Sequence, residues 1–322
     1  MGEKTILSLP AAHLASVKLM EYQQPLVSIG LPVYNGENFV AEAIKCVLSQ
    51  TFSDWELIIS DNASTDRTVS ICREFAEKDG RIHVHESPRN RGVAHNFNLA
   101  FQLSHGRYFK WITHDDLFGP DFLESCVEEL EKDDDTVLVF PRLVRVDAAG
   151  QRLGGQQTAD LSIVGPTPES RVSQLMKLES QGTDIYWSQF GLMRRNILEG
   201  TQLMGLYNGS DQTLLMEIAL RGNSKQVGKE SFLRREHPAA ATMRTGWTTK
   251  ERAQFVNADD RRKFVFPYCR MLKEHLARIT ESPISLQGKL QCTAAVLVRF
   301  ARQWKYFAHE IIDSPLEILG AK

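Results

Sequence analysis

Between residue 26 and a helix that begins near Pro120, four apolar runs of strand length alternate with four helical stretches. That order leaves few folds open. Parallel strands need long crossover connections, usually helices, so the pattern predicts a mostly parallel sheet with helices on both faces. Leu26-Val27-Ser28-Ile29-Gly30-Leu31 is the first run, ended by Pro32, and Trp55 to Ser60 is the second. Their near-continuous apolarity suits strands buried on both sides. Between them, Asn38 to Gln50 places Phe39, Val40, Ala43, Ile44, Val47 and Leu48 on one helical face. A strand over 81–85, a helix over 93–103 and a strand over 108–113 follow, and Val137 to Val146 reads as one further strand. Residues 151–165, rich in Gly and Gln, read as a mobile loop. Helices are expected over 169–180 and 210–221, mixed structure over 185–194, and a helical pattern from residue 248 to about 312. The chain thus divides into a lead-in at 1–24, an α/β domain at 25–247 with halves at 25–150 and 151–247, and a helical C-terminal region at 248–322.

Composition narrows the partners. A formal net charge of -2 gives no basis for a general affinity for nucleic acid. The five cysteines are never spaced as CxxC, which argues for reduced thiols and a cytoplasmic location. Residues 1–24 lack a charged start followed by an apolar run, so no secretion signal is expected. Ala294 to Val298 is too short to span a bilayer. Near the C-terminus, Lys289, Arg299, Arg302 and Lys305 lie among Leu290, Leu297, Phe300, Trp304 and Phe307. Two readings stay open for 286–311: peripheral contact with the inner face of a membrane, or an apolar face packed on the protein itself or a second protomer. The second is the commoner use of such a helix.

In open α/β sheets ligands bind beyond the carboxyl ends of the strands. Three polar clusters fall at such ends: Tyr34-Asn35, Asp61-Asn62 and His114-Asp115-Asp116. Adjacent carboxylates repel unless a cation or donor stabilises them, and a hard divalent cation often keeps only one or two protein carboxylates. The bland alternative for Asp115-Asp116 is a turn leading into Pro120-Asp121. Asp61-Asn62 is able to accept from a nucleobase or bind a ribose hydroxyl, or simply to turn the chain. Asp211 opens an amphipathic helix, where a carboxylate serves either as a favourable partner of the helix dipole or as a general base. Arg235 and His237, within Arg234-Arg-Glu-His-Pro238, suit phosphate or metal, or an ordinary basic loop.

These segments resemble those of a known family. Pro25-Leu-Val-Ser-Ile-Gly-Leu-Pro-Val-Tyr-Asn35, Cys46-Val-Leu-Ser-Gln-Thr-Phe52 and Trp55-Glu-Leu-Ile-Ile-Ser-Asp-Asn-Ala-Ser-Thr-Asp66 look like the opening of a family 2 glycosyltransferase. Asn90-Arg-Gly-Val-Ala-His-Asn96 and Thr113-His-Asp-Asp-Leu-Phe-Gly-Pro-Asp121 resemble the segments that follow. The likeness covers about residues 25 to 150. It continues more weakly through Phe190-Gly-Leu-Met-Arg-Arg195, Gly209-Ser-Asp211 and Arg234 to Pro238.

The resemblance implies a GT-A fold, a nucleotide-diphosphate sugar donor, Mg or Mn, a glycan or lipid-linked acceptor, and inversion at the anomeric carbon. It implies that Pro32, Tyr34, Asp61 and Asn62 line the nucleoside pocket, and that Asp115 and Asp116 meet the metal and diphosphate. By the same likeness Asp211 is the base, and Arg235 and His237 approach the diphosphate. The chain departs from the family's usual pattern in having Asp61-Asn62 for two aspartates, Thr113-His114-Asp115 for a DxD triplet, and Ser210-Asp211 for Glu-Asp. A sugar-nucleotide pyrophosphorylase would need a basic, Gly-rich loop after the first strand, and Pro32-Val33-Tyr34-Asn35-Gly36 has no basic residue. A non-catalytic sugar-binding module is the other alternative, against which the retained Asp115, Asp116 and Asp211 argue.

Overall fold

Val27-Ser-Ile-Gly-Leu-Pro-Val33 is buried at every position and forms β1, the third strand of a seven-stranded sheet. The computed structural model describes residues 24–154, 159–228, 231–238, 240, 243, 247–262, 265–308 and 310. Apart from Gln24, the expected lead-in at 1–24 lies outside them, as do 311–322 at the end of the expected C-terminal helix. The chain runs from β1 through α1 (Val40–Leu48) to β2 (Trp55–Asp61), then through α2 (Thr68–Ala76) to β3 (Ile82–Glu86) and through α3 (Val93–Gln102) to β4 (Tyr108–Trp111). These four strands are parallel, in the order β3-β2-β1-β4. Gly30 is required at the centre of β1, because a Cβ there would lie 2.8 Å from the Phe109 ring. Phe109 in turn packs edge-on against Phe101 and Trp111.

After β5 (Leu117–Phe118) and α4 (Phe122–Leu130), the single strand expected over Val137–Val146 is two. β6 (Thr136–Phe140) joins the large sheet, and β7 (Leu143–Val146) leaves it for a three-stranded sheet. Pro141 stands at the break and has no N–H to continue a ladder. The expected mobile loop at 151–165 lies outside the described residues at 155–158. Its second half is anchored, since Leu161 and Ile163 are buried and Ile163 exchanges backbone hydrogen bonds of 2.7 and 2.9 Å with Ser224.

α5 (Pro168–Ser180) starts at a capping box of Thr167 and Ser170. A 3₁₀ turn at Tyr186–Phe190, β8 (Leu192–Arg194), α6 (Arg195–Glu199) and α7 (Ser210–Arg221) follow. β8 is antiparallel to both β4 and β6, and β9 (Asn223–Gln226) closes the sheet beside β6. β10 (Phe232–Arg235) pairs with β5 and β7 to complete the small sheet. Neither β9 nor β10 is legible from hydrophobic pattern, because their sequences are Asn-Ser-Lys-Gln and Phe-Leu-Arg-Arg.

α8 (Thr249–Val256), α9 (Pro267–Glu281) and α10 (Leu286–Arg302) form the helical C-terminal extension. α9 packs on α7 and α10 along α5, and Met271, Val296 and Phe300 join the same apolar core as Leu175 and Leu214. Beside α8, a Cβ on Gly92 would lie 2.5 Å from Val256 O, and Arg89 makes a bidentate pair with Asp259. The C-terminal region therefore presses on the loop before α3. Among the described residues no helix is long and apolar enough to cross a membrane. The architecture is a mostly parallel sheet wrapped by helices with a helical extension, as the sequence predicts.

Candidate active site

The loops after β1, β2 and β4 meet at one rim of the sheet. Pro32 is buried within β1, while Tyr34 beyond it is exposed. Asn35 turns the chain with φ 51°, its N–H donating to Ser64 Oγ (2.9 Å) and its Oδ1 accepting from Thr65 N (2.8 Å). Gly36 lies under the His114 ring; a Cβ there would sit 2.7 Å from Cδ2. This close approach joins the first loop to the third.

Asp61 is almost fully buried. Oδ2 accepts from Ser64 N at 2.9 Å, whereas Oδ1 is buried without a partner. A buried acceptor with no donor is costly, so Oδ1 is suited to receive a ligand N–H or O–H. Ala63, which follows this strand end, has φ 63°, a strained value for a residue with a Cβ. Asn62 is occupied differently. Its Nδ2 donates to Asn90 Oδ1 (3.0 Å) and Gly92 O (3.3 Å), and its Oδ1 accepts from Arg91 N (3.0 Å). Both ends of the amide thus hold the 90–92 loop, so Asn62 shapes the expected nucleoside pocket from beneath.

At the β4 end the two carboxylates have separate surroundings. Asp116 Oδ2 accepts from Thr113 Oγ1 at 2.7 Å and Oδ1 from Arg235 N at 2.9 Å. Burial, followed by the charge of Asp115, pushes its pKa up to about 7. Asp115 Oδ2 lies 3.1 Å from His237 Nε2. Burial raises the Asp115 pKa, but the charge of His114 and hydrogen bonds from His237 and Thr113 outweigh it, and the net direction is down. Near neutral pH the pair therefore keeps its negative charge on Asp115.

Each nitrogen of the Arg235 guanidinium already donates within the protein. Its Nε donates to Asp115 O (3.0 Å), Nη1 to Ala148 O (2.8 Å) and Nη2 to Glu42, with the guanidinium 4.7 Å from the Phe39 ring. Only 4% of Arg235 is exposed. These bonds make Arg235 a brace for the rim. His237 does reach the rim, packed at 4.7 Å against the same Phe39.

Asp211 stands in the first turn of α7, half-buried, after Gly209 in a left-handed turn with φ 85°. Burial raises its pKa, the main opposition coming from the backbone N–H of Gln212, and the charge of Asp184 adds to the rise. Asp184 accepts from Arg234 Nη1 at 2.8 Å, and the Arg234 charge is felt at Asp116. Arg234 thus stands between the carboxylates of the β4 rim and Asp184, whose charge in turn reaches Asp211 at the start of α7. Glu42 and Asp184 are the contributors that sequence reasoning missed, while Thr113, Asn90 and Arg234 lay within the segments it singled out without a role of their own.

Among the described residues no group of three or more His, Cys, Asp or Glu side chains is placed to hold a metal by itself. A cavity of about 900 Å³ opens at the opposite, amino ends of β1 and β4, lined by Leu26, His105, Arg107 and Arg195 among others. None of the candidate residues lines it, and we place the chemistry at the polar rim.

Residues 28–201, more than half of the chain, match the model of glycosyl transferase family 2. An uncharacterized glycosyltransferase of Rickettsia typhi is 34% identical over 143 residues, 44% of this chain and 41% of that protein. Chondroitin synthase of Escherichia coli is 33% identical over 126 residues, 39% of this chain and 18% of that protein. A putative teichuronic acid biosynthesis glycosyltransferase of Bacillus subtilis is 37% identical over 105 residues, 33% of this chain and 42% of that one. The matches span less than half the length of each of these relatives. Among solved structures, residues 1–349 of S. aureus TarS in complex with UDP-GlcNAc superpose with a TM-score of 0.65 at 17% identity, covering 91% of this chain and 81% of that one. At that identity the likeness speaks for the fold, and it agrees with the sheet order and the helical extension described above. With a family match over residues 28–201, more than half of its length, the chain belongs to glycosyl transferase family 2.

Proposed function

We propose that this glycosyltransferase moves a sugar from a nucleotide-diphosphate donor to an acceptor hydroxyl by one inverting displacement, with 25–150 binding the donor and 151–247 the acceptor. The observation that carries this reading is the Asp115–Asp116 pair, whose surroundings leave one carboxylate charged and commit the other to the fold. Asp61 Oδ1 is the acceptor for a nucleobase or ribose donor, with Pro32 and Tyr34 beside it. Asp211 takes the proton from the attacking hydroxyl, and its raised pKa suits a base that must bind that proton in the transition state.

Mg or Mn fits the donor set, because Asp115 offers an ionised carboxylate and a hard cation needs few protein ligands when diphosphate oxygens complete its shell. Asp115 would hold it, with His237 Nε2 fixing the carboxylate. Asp116, with both oxygens bonded to Thr113 and Arg235, positions this loop. When bound, the cation would stabilise the charge that grows on the departing diphosphate. The names of the E. coli and B. subtilis relatives favour a glycan or polysaccharide acceptor; that the acceptor is free or lipid-linked and met on the cytoplasmic side belongs to this proposal alone.

The test is calorimetry with UDP-, GDP- and dTDP-sugars in the presence of Mn, on wild type, Asp115→Ala and Asp211→Asn, with donor hydrolysis followed in parallel. One nucleotide should bind to wild type and Asp211→Asn and fail to bind Asp115→Ala. Hydrolysis by Asp211→Asn should fall about 10²-fold or more. Full turnover by that variant would remove Asp211 as the base.

A further inference from the structure

α10 is built inside out for a helix at a protein surface. Its inner face, with Gly288, Cys292, Val296, Arg299 and Phe300, is buried against the protein. Solvent-facing positions of such a helix ordinarily carry charged or polar residues. Here Leu286, Leu290, Ala294, Leu297, Ala301 and Trp304 are all exposed, and the chain is helical again at 304–308. At 100° per residue the five positions within α10 fall within a sector of about 80° and extend along about 22 Å of helix, and Trp304 follows just beyond its end. Leu286 is 75% exposed, Leu290 64% and Trp304 68%. Scattered surface leucines need no explanation, but an unbroken apolar stripe does.

Charge identifies what covers the stripe. From residue 286 through 308 there is no Asp or Glu, while Lys289, Arg302 and Lys305 flank the stripe. Arg299, the remaining cation, points inward to Glu179 at 3.1 Å and does not contribute. Lys177 of α5 joins Arg302 along the shallow groove between the two helices. A second copy of the chain docked by the same face would bring these cations against their counterparts with no carboxylate in the segment to pair with them. An anionic lipid surface meets both features, accepting the apolar stripe at the headgroup boundary and the cations among its phosphates. Trp304 stands at one end of the stripe, as an amphipathic ring does at such a boundary.

We infer that α10 is an interfacial docking helix that seats the enzyme on an anionic lipid surface through Leu286, Leu290, Leu297 and Trp304. The proposal concerns attachment, and its readout is independent of sugar transfer. The full chain is floated with phosphatidylcholine vesicles, with and without phosphatidylglycerol, at low and high salt. Wild type should float with the anionic vesicles only, and salt should release it as screening shortens the reach of the cations. Leu290→Glu combined with Leu297→Glu should stay at the bottom of the gradient with an unchanged circular dichroism spectrum. Lys305→Gln, a milder change, should weaken partitioning about fivefold. Wild type remaining at the bottom, or the double variant floating as wild type does, would overturn the inference. So would sedimentation showing a dimer that the double variant dissolves, which would give the stripe to a second copy.

Discussion

Replacing Lys110 with methionine should stabilise the protein below pH 7 and remove part of its pH dependence. Lys110 is fully buried in β4, its Nζ lies 4.1 and 4.0 Å from the rings of Phe118 and Phe122, and it has no hydrogen-bond partner. Burial lowers its pKa from 10.5 to about 7, opposed by Cys126, Asp116 and Cys46. The folded state therefore holds this proton less tightly than the unfolded chain does. Between pH 7 and about 10.4 the unfolded state carries more protons, so this group makes stability rise with pH; below pH 7 the full cost is present. At about 1.4 kcal/mol per unit, a depression of about 3.5 units costs on the order of 5 kcal/mol, leaving about 3–4 kcal/mol once the rings are counted. The two aromatic faces return about 1–2 kcal/mol. Methionine, similar in length and uncharged, should thus gain about 3–4 kcal/mol at pH 6. Urea unfolding of both proteins from pH 6 to 9.5 provides the measurement. Asp116, pushed up to about 7, contributes the opposite slope between about pH 4 and 7, since an acid whose folded pKa is raised loses stability as pH rises. Lys110 in turn lowers the pKa of the Cys126 and Cys46 thiols, so the difference between the two proteins reports Lys110 together with its coupling to these neighbours. The gap should shrink above pH 7. A constant gap, or a variant less stable at pH 6, would refute the argument that Lys110 is a desolvated charge.

Arg235→Met should cost about 2–4 kcal/mol in thermal unfolding, because it frees Glu42, Asp115 O and Ala148 O at once, and metal-dependent donor binding should weaken with it. Arg235→Lys should not rescue either property, since an ammonium lacks the guanidinium's fork of donors. Asn62→Asp loses the donors to Asn90 Oδ1 and Gly92 O and should cost about 1–3 kcal/mol, with calorimetry showing weaker donor binding as the 90–92 loop loosens. Arg299→Met strands the buried Glu179 and should cost about 3–5 kcal/mol in urea unfolding, while adding Glu179→Met should recover most of that loss.

The parts of this fold that sequence made legible are those where local pattern and tertiary burial agree. β1 and β2 are largely apolar and buried at every position because both their faces are covered, and α1 shows its buried stripe of Val40, Ala43, Ile44 and Val47. β10 defeated the same reasoning, because two of its four residues are arginines whose environment is set by distant partners. Arg235 bonds Glu42 across 193 residues of sequence and Asp115 across 120, and no local period carries such information. The rim was legible as a convergence of strand ends, since topology alone dictates where parallel strands finish. The division of labour within it was not. Asp61 and Asn62, like Asp115 and Asp116, are neighbours in the chain with nearly interchangeable chemistry, and only their hydrogen bonds separate a carboxylate left open to ligand from a side chain spent on the fold. The same distinction runs through α10, where Arg299 and Lys305 look alike in sequence. One closes an ion pair with Glu179 in the interior, and the other is left at the surface beside an apolar stripe. A residue's function here follows from which of its bonds the fold has already filled.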